Sequence, residues 1–441
     1  MAIVLFEGFE HNTHVGNNYG GGGSRFLGWQ STSGNFVIST FNPRPLTRSG
    51  QPAGAGRIRS TNAASSVRMF RGFPRNNDTG QRLHLREVTV GFGLITGNST
   101  NLPGTLGHVS VGPHLSTQRF GLYIQQNRSH FMRDGSTLLS EFDDFPPGVW
   151  GSYWFSVFID LVDGWARAYR EEDVENPFLS FDGATMAGTA NWASFVGIGT
   201  AGNNWHDAYD DLVVLAPSLM LAGATPVAER EELITGSISG ATARVSDYEP
   251  SKGRVWLHQW NQIPWVDGES VTGSINGVLG SVHAPTNHYV HGFEPFSFPR
   301  PLDQGGLPAV IVTAPQTTVS AQLAPVGSGD NVQNVNSIPY TLSGRNEATS
   351  GDKSDTYTDN PIPSWVRGVH AVQQEIMAQG EGEYFSYTTT TTDTTGSQSA
   401  QDEAQEIIIR TPVVLPTKAD GTPWTPEDIP TIQTTVTMEE S

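Results

Sequence analysis

Cysteine is absent from the 441-residue chain. Disulfides, thiol catalysis, iron–sulfur clusters and zinc–thiolate sites are therefore excluded, and stability has to come from packing or assembly. Basic residues are scarce: 25 Lys and Arg stand against 44 Asp and Glu, for a formal net charge of −19. A surface of that sign repels phosphate backbones and anionic membranes, so nucleic acid is not an expected partner. Long apolar runs are missing as well. No stretch approaches the ~20 apolar residues needed to span a bilayer. The opening Met1-Ala-Ile-Val-Leu-Phe-Glu-Gly-Phe-Glu10 has neither the basic segment nor the apolar run of a signal peptide. What is abundant is glycine and proline, 49 and 28 residues, which disfavour long helices and favour short strands joined by turns.

The pattern over roughly 1–217 is that of strands. Leu83 to Ile95 alternates apolar and polar residues with one slip between Leu85 and Val88, a candidate bulge. Trp150 to Asp163 is the most apolar stretch, rich in aromatic and β-branched residues, and reads as a central strand. Asp163-Gly164 then supplies a hairpin turn before Trp165-Ala-Arg-Ala-Tyr returns. Many closely spaced strands without a helix predict a β-sandwich or jelly roll. A small-residue stretch, 216–224, reads as a linker. An internal repeat follows: Ile234-Thr-Gly-Ser-Ile-Ser-Gly240 returns as Val271-Thr-Gly-Ser-Ile-Asn-Gly277, predicting one small β-barrel-like module over 226–285. The remainder, 286–441, offers strands at Ala309–Thr313, Pro363–Gln374, Glu406–Arg410 and Ile432–Met438. It also has a threonine run, Thr388–Thr392, read as an ordered edge, and one helical turn at Trp424–Ile429 with Thr425 as N-cap. The expected fold is all-β, with a C-terminal β-sandwich closing the chain.

Phe6-Glu-Gly-Phe-Glu10 resembles the first strand of the concanavalin A-like (laminin-G-like) jelly rolls of bacteriophage structural proteins, and Ala208-Tyr-Asp-Asp-Leu-Val-Val214 resembles their closing strand. The resemblance implies that these two strands lie side by side and bracket a domain of about 1–217. Thr235-Gly-Ser-Ile-Ser-Gly-Ala-Thr-Ala, Asp267-Gly-Glu-Ser-Val-Thr-Gly and Trp424-Thr-Pro-Glu-Asp-Ile are similar to segments of phage tail and virion accessory proteins. The implied role is a virion structural protein of a tail fibre or tail accessory type. It would assemble as a homo-oligomer, a trimer by this reading, on other virion proteins and hold a host-surface glycan. A head decoration protein and a polysaccharide depolymerase are the alternatives; the expectation is that the chain is not an enzyme.

Several groups are candidates for binding chemistry. Trp256, Trp260 and Trp265 would stack on sugar rings if exposed and form a small core if buried. Asp207, Asp210 and Asp211 offer carboxylates to a hard cation such as Ca2+, or simply start a strand. His283, His288 and His291 are a metal set or a polar linker. Asp143-Asp144 and Glu171-Glu172-Asp173 are acidic, but neighbours on one strand face opposite ways, unlike the facing pair a glycosidase needs. Gly20–Gly23 lacks the Lys-Ser/Thr of a phosphate loop, and Gly236-Ser-Ile-Ser-Gly240 has Ile238 where a hydrolase elbow carries serine.

Overall fold

The structure is a computed structural model. It describes residues 2–7, 25–26, 29–33, 36–38 and 58–60; 67–96 except 77; 105–142 except 114–118, 126–127 and 135; 151–200 except 171–175 and 187–190; 208–283 except 224–227 and 262; 315–326; 345–347; and 352–439 except 360, 363–368, 370, 379–384, 405–408 and 416. The fold is all-β, as the turn-rich composition predicts.

Two antiparallel eight-stranded sheets form the N-terminal jelly-roll sandwich. At the centre of the first, Glu87–Thr96 lies between Gly151–Asp160 and Ala208–Ala216. At the centre of the second, Thr105–Gly112 lies between Phe120–Gln125 and Phe195–Thr200. Period two puts Val88, Val90, Phe92 and Leu94 of one sheet against Val109, Leu122, Phe131 and Ile198 of the other in a single core. Tyr209 crosses this core: its hydroxyl accepts from His108 N at 2.6 Å, tying the two sheets together. The opening and closing strands pair as the resemblance implies, Ala2–Glu7 running antiparallel to Ala208–Ala216 from Ala2↔Ala216 to Glu7↔Leu212. The Asp163-Gly164 hairpin forms, with Asp160 paired to Trp165 across it.

The slip between Leu85 and Val88 is not a bulge. Leu83 N donates to Pro74 O at 3.0 Å, and Leu85 and Ala193 exchange backbone bonds of 3.0 and 2.7 Å, in segments that flank two strands of the second sheet, whereas the strand from Glu87 belongs to the first sheet. The broken alternation marks the chain crossing the core from one sheet to the other.

Residues read as a linker contain a strand, Ser218–Ala222. It closes a six-stranded barrel with Arg254–His258, Thr242–Glu249, Leu233–Gly236, Ser270–Gly273 and Gly277–Val282. Small residues misled the linker reading, but Leu219 and Leu221 sit in the barrel core. The sequence repeat becomes a pseudo-two-fold: its copies pair antiparallel, Ile234↔Gly273, Thr235↔Thr272 and Gly236↔Val271. Each copy is preceded by a buried glutamate that caps the turn of the other. Glu232 accepts from Ile275 N (2.9 Å), Asn276 N (2.8 Å) and Asn276 Nδ2 (2.9 Å). Glu269 accepts from Ile238 N (2.9 Å), Ser239 N (2.9 Å) and Ser239 Oγ (2.7 Å). A Cβ on Gly273 would fall 2.0 Å from Glu232 Oε1, and one on Gly236 would fall 2.6 Å from Glu269 Oε2. Glycine at these positions is what lets the carboxylates in.

Barrel and jelly roll are bonded through buried polar groups. Asn76 Nδ2 donates to Asp247 Oδ1 (3.1 Å) and Tyr248 O (2.7 Å), and His84 N donates to Asp247 Oδ2 (2.9 Å). Arg86 Nε lies 2.8 Å from Glu231 Oε1, and Glu231 holds this place with a left-handed φ of 69°. Asp247→Ala would strip the acceptor from Asn76 and His84 and cost about 3 kcal/mol. The expected result in limited proteolysis is faster cleavage between jelly roll and barrel; an unchanged digest would show that the other contacts suffice.

The C-terminal region contributes a five-stranded antiparallel sheet in the order Pro315–Ala321, Lys353–Asp359, Gln433–Glu439, Phe385–Asp393, Gly396–Ala404. The ribbon Val372–Ala378/Ile409–Leu415 docks on the outer face of the first jelly-roll sheet. There Gln373 exchanges bonds of 3.1 and 2.9 Å with the Phe6 backbone, and Ala371 and Val414 pack near Phe158 and Tyr169. The threonine run is not an edge: Phe385–Asp393 is an inner strand with partners on both sides. The helical turn expected at Trp424 is replaced by a turn and a 3-10 helix, Ile429–Thr431. The predicted strand Ala309–Thr313 lies outside the described residues, as does most of the first half of Pro363–Gln374.

Candidate functional site

The three tryptophans do not assemble a sugar platform. Trp256 is 1% exposed and belongs to the jelly-roll core cluster. Its Nε1 donates to Glu249 Oε2 at 2.9 Å, and the Arg254 guanidinium lies 5.3 Å from its ring centre. It pins the barrel to the jelly roll, and protein covers its faces. Trp265 is buried in the barrel core. Trp260 packs against that core and donates Nε1 to Ile263 O at 2.9 Å. The buried alternative thus describes Trp256 and Trp265; all of Arg254–His258 is buried, because one face of this strand meets the barrel core and the other meets the jelly roll.

Asp210 and Asp211 stand in the strand Ala208–Ala216, at a register irregularity between Asp210 and Val213. Asp207, Asp143-Asp144, Glu171–Asp173, His288, His291 and Gly20–Gly23 lie outside the described residues. His283 is exposed at the end of the barrel. Among the described residues no group of three or more His, Asp or Glu is placed to hold a metal ion.

A depolymerase needs facing carboxyls, and the register supplies one close pair, Glu87 opposite Asp160. Asp160 is a turn cap: its Oδ1 accepts from Val162 N (2.7 Å) and Asp163 N (2.8 Å). Burial pushes the Glu87 carboxyl up to about 8, with Asp160 adding to the effect. Burial likewise raises Asp160 to about 6, against the pull of its backbone bonds. This pair is accounted for by the turn it closes.

The C-terminal sheet presents a different kind of surface. Alternation in its strands separates two faces. Inward lie Asp355, Tyr357, Tyr387, Thr389, Thr391 and Thr434, all buried. The other face is half-buried or exposed, and the register aligns it in three rows across the strands. One row is Thr317, Thr358, Gln433, Thr392, Ser397; the next is Ser320, Thr356, Thr435, Thr390, Ser399; the third is Ser354, Thr437, Thr388, Gln401. Every position is Ser, Thr or Gln. In the following row the register pairs Ser386 with Glu439 on one side and Glu403 on the other. Strands lie ~4.8 Å apart, and alternate residues along a strand ~6.8 Å apart, so hydroxyls repeat at regular spacing across the face. Cross-strand pairs fix them: Thr317–Thr358 at 2.6 Å, and Thr356–Thr435, Thr390–Ser399 and Thr392–Ser397 at 2.8 Å each. A hydroxyl has one donor and two acceptor sites, so each pair keeps hydrogen-bonding capacity for a ligand, and the threonine methyls add small apolar contacts between them. The sequence signal for this surface is hydroxyls at every second position in four segments, with the threonine run as its most visible part. The strand pairing that turns these segments into a lattice is not written in any one of them.

No known family model and no curated protein matches the sequence. Among solved structures, the chain is similar to the globular domain of T. cruzi calreticulin (TM-score 0.32, 14% identity, 48% of this chain and 88% of that one). It is similar to basic winged bean lectin with Tn-antigen (0.30, 8%, 48% and 97%). It is also similar to a carbohydrate esterase of the Shiga toxin-encoding bacteriophage phi24B (0.27, 9%, 42% and 89%).

Proposed function

We propose that this chain is a bacteriophage virion structural protein, of a tail fibre or tail accessory type, that attaches to a neutral host-surface glycan through the hydroxyl lattice of its C-terminal sheet. The carrying observation is the composition of that face: in a protein of net charge −19, three adjacent rows hold only Ser, Thr and Gln. Such a field disfavours ions and suits a polyol, whose hydroxyls exchange hydrogen bonds with Thr, Ser and Gln while its C–H faces meet the threonine methyls. Each net bond is worth only ~0.5–1.5 kcal/mol, so binding is weak per copy. Display of many copies on a particle converts weak contacts into firm attachment by avidity. The virion part of the reading rests on the resemblance of the Phe6–Glu10 and Ala208–Val214 sequences to phage jelly rolls; the pairing of Ala2–Glu7 with Ala208–Ala216 bears on the fold alone. The exposed Ile238 and Ile275 on the barrel turns, with Val278 on the adjoining strand, are suited to packing on other virion proteins.

Two measurements test it. Ser320→Glu with Ser399→Glu, exposed on the two edge strands of the middle row, is expected to lower retention on neutral cell-wall polysaccharide at least tenfold with only a small loss in unfolding temperature; equal retention would remove the lattice from the proposal. Antibody labelling of purified particles is expected at tail tips or fibres. Label over the head would favour a decoration protein, and unlabelled particles would overturn the virion reading.

A further inference from the structure

A small cleft of about 40 Å³ lies where the three regions of the chain meet. The jelly roll supplies Val4 and Arg75 to its wall, the barrel Glu249, Lys252 and Arg254, and the C-terminal region Gln401. Three cations therefore face one carboxylate, in a protein whose overall charge has the opposite sign. That carboxylate is already engaged: Glu249 accepts from Trp256 Nε1 at 2.9 Å and from Lys252 Nζ at 2.8 Å.

Arg254 is the unusual member. It is 6% exposed. Its Nε points at Met220 Sδ, 3.5 Å away, and its guanidinium stacks over Trp256. These contacts engage one N–H and one face of the group, and a guanidinium carries five N–H donors in a planar fork. Glu249, its partner across the strand pair, offsets its charge; among the described residues no second carboxylate meets the remaining donors, and a fork of this shape is made for two oxygens of one carboxylate. The cleft is small, about 40 Å³, and has room for a carboxylate head group.

We infer that this cleft is a binding site for a single carboxylate, held bidentately by Arg254 with Lys252 and Arg75 at its mouth. The inference does not rest on the glycan reading, since no hydroxyl of the lattice holds the guest. Gln401, which ends one lattice row, also lines the cleft. A carboxylate borne on a sugar and a free small acid are therefore both chemically able to enter.

The test is calorimetric and thermal titration of the full chain with formate, acetate and glucuronate, with chloride as the control. Saturable binding of formate and acetate, absent with chloride, is expected. Glucuronate binding as well would identify a sugar-borne carboxylate as a guest, and its failure beside acetate binding would assign the site to small free acids. Arg254→Met, which keeps the contact with Trp256, is expected to abolish saturation. Should that variant fail to fold, Arg75→Ala at the exposed mouth is expected to weaken acetate severalfold. No saturable carboxylate binding by the unaltered protein, or unchanged binding in a folded Arg254→Met, would overturn the inference.

Discussion

Glu232→Ala and Glu269→Ala are each expected to destabilise the barrel by about 3–5 kcal/mol, the largest effect of any single side chain named above. Each carboxylate is buried, 1% exposed, and each collects bonds from two segments. Besides the opposite turn, Glu232 Oε2 accepts from Glu229 N at 2.9 Å, and Glu269 Oε1 accepts from Val266 N at 2.7 Å. Truncation leaves several buried N–H groups without an acceptor, and the absence of Cβ at Gly273 and Gly236 means no neighbour fills the hole. Glu→Gln keeps the shape but turns an N–H toward N–H donors, so about half of that loss is expected. The pH dependence has a fixed sign. Burial raises each carboxyl, but the bonds from Asn276, Glu229 and Ile275 hold Glu232 below its usual value, and those from Ser239, Val266 and Ile238 do the same for Glu269. A depressed carboxyl stabilises fully above its unfolded value, ~4.5, and loses that contribution as pH falls through the folded value. Urea unfolding followed by Trp265 fluorescence should therefore show the wild-type barrel weakening below about pH 4.5, with the Gln variants weaker but flatter over the same range. An alanine variant within about 1 kcal/mol of wild type would mean that water replaces the carboxylate.

The same glutamates show what was legible in the sequence. The repeat around Thr235 and Thr272 was visible, and so was a compact module, because similar strings imply similar local structure. The reciprocal capping was not, since Glu232 and Glu269 precede their repeats and act across a pairing that spacing alone does not reveal. Strand existence was legible where one face is wet, as in Trp165–Arg170 after the hairpin at Gly164. It failed at Ser218–Ala222, where small residues imitate a linker, and it misjudged Leu85, where an apparent bulge is a passage between sheets. Trp256 was legible only as one of two alternatives, and the buried one holds. Aromatic residues signal equally a sugar platform and a buried anchor, and only the neighbouring jelly roll decides between them. The lattice was half legible: alternating hydroxyls predict a strand with an unusual face, and only the order of five strands gathered from 315–439 makes that face a surface.

The second large effect is at the other end of the pH scale. Glu87→Gln is expected to stabilise the protein by about 2 kcal/mol at pH 8–9 and to leave it within about 0.5 kcal/mol of wild type at pH 5. Glu87 faces Asp160 across the central pair of the first sheet. Burial first, then Asp160, raises its carboxyl from its usual 4.5 to about 8, the N-terminus pulling the other way. The folded state thus keeps a proton that the unfolded chain releases near pH 4.5. Its contribution is fully present below that value and is lost as pH rises through about 8, so stability falls with rising pH across this window. Because the residue is partly exposed, solvent screening trims the effect below what the full shift would give. The two carboxyls titrate as a pair, so Asp160→Asn should lower the pH at which Glu87 ionises, but it also disturbs the turn at Val162 and Asp163 and is the less clean variant. Glutamine mimics the protonated acid, which makes Glu87→Gln a direct subtraction of the proton's contribution. Thermal unfolding of both proteins from pH 5 to 9 should give curves that coincide at the acid end and diverge upward for the variant. Parallel curves would show that Glu87 is ionised throughout and that solvent reaches it more freely than its place beside Asp160 implies.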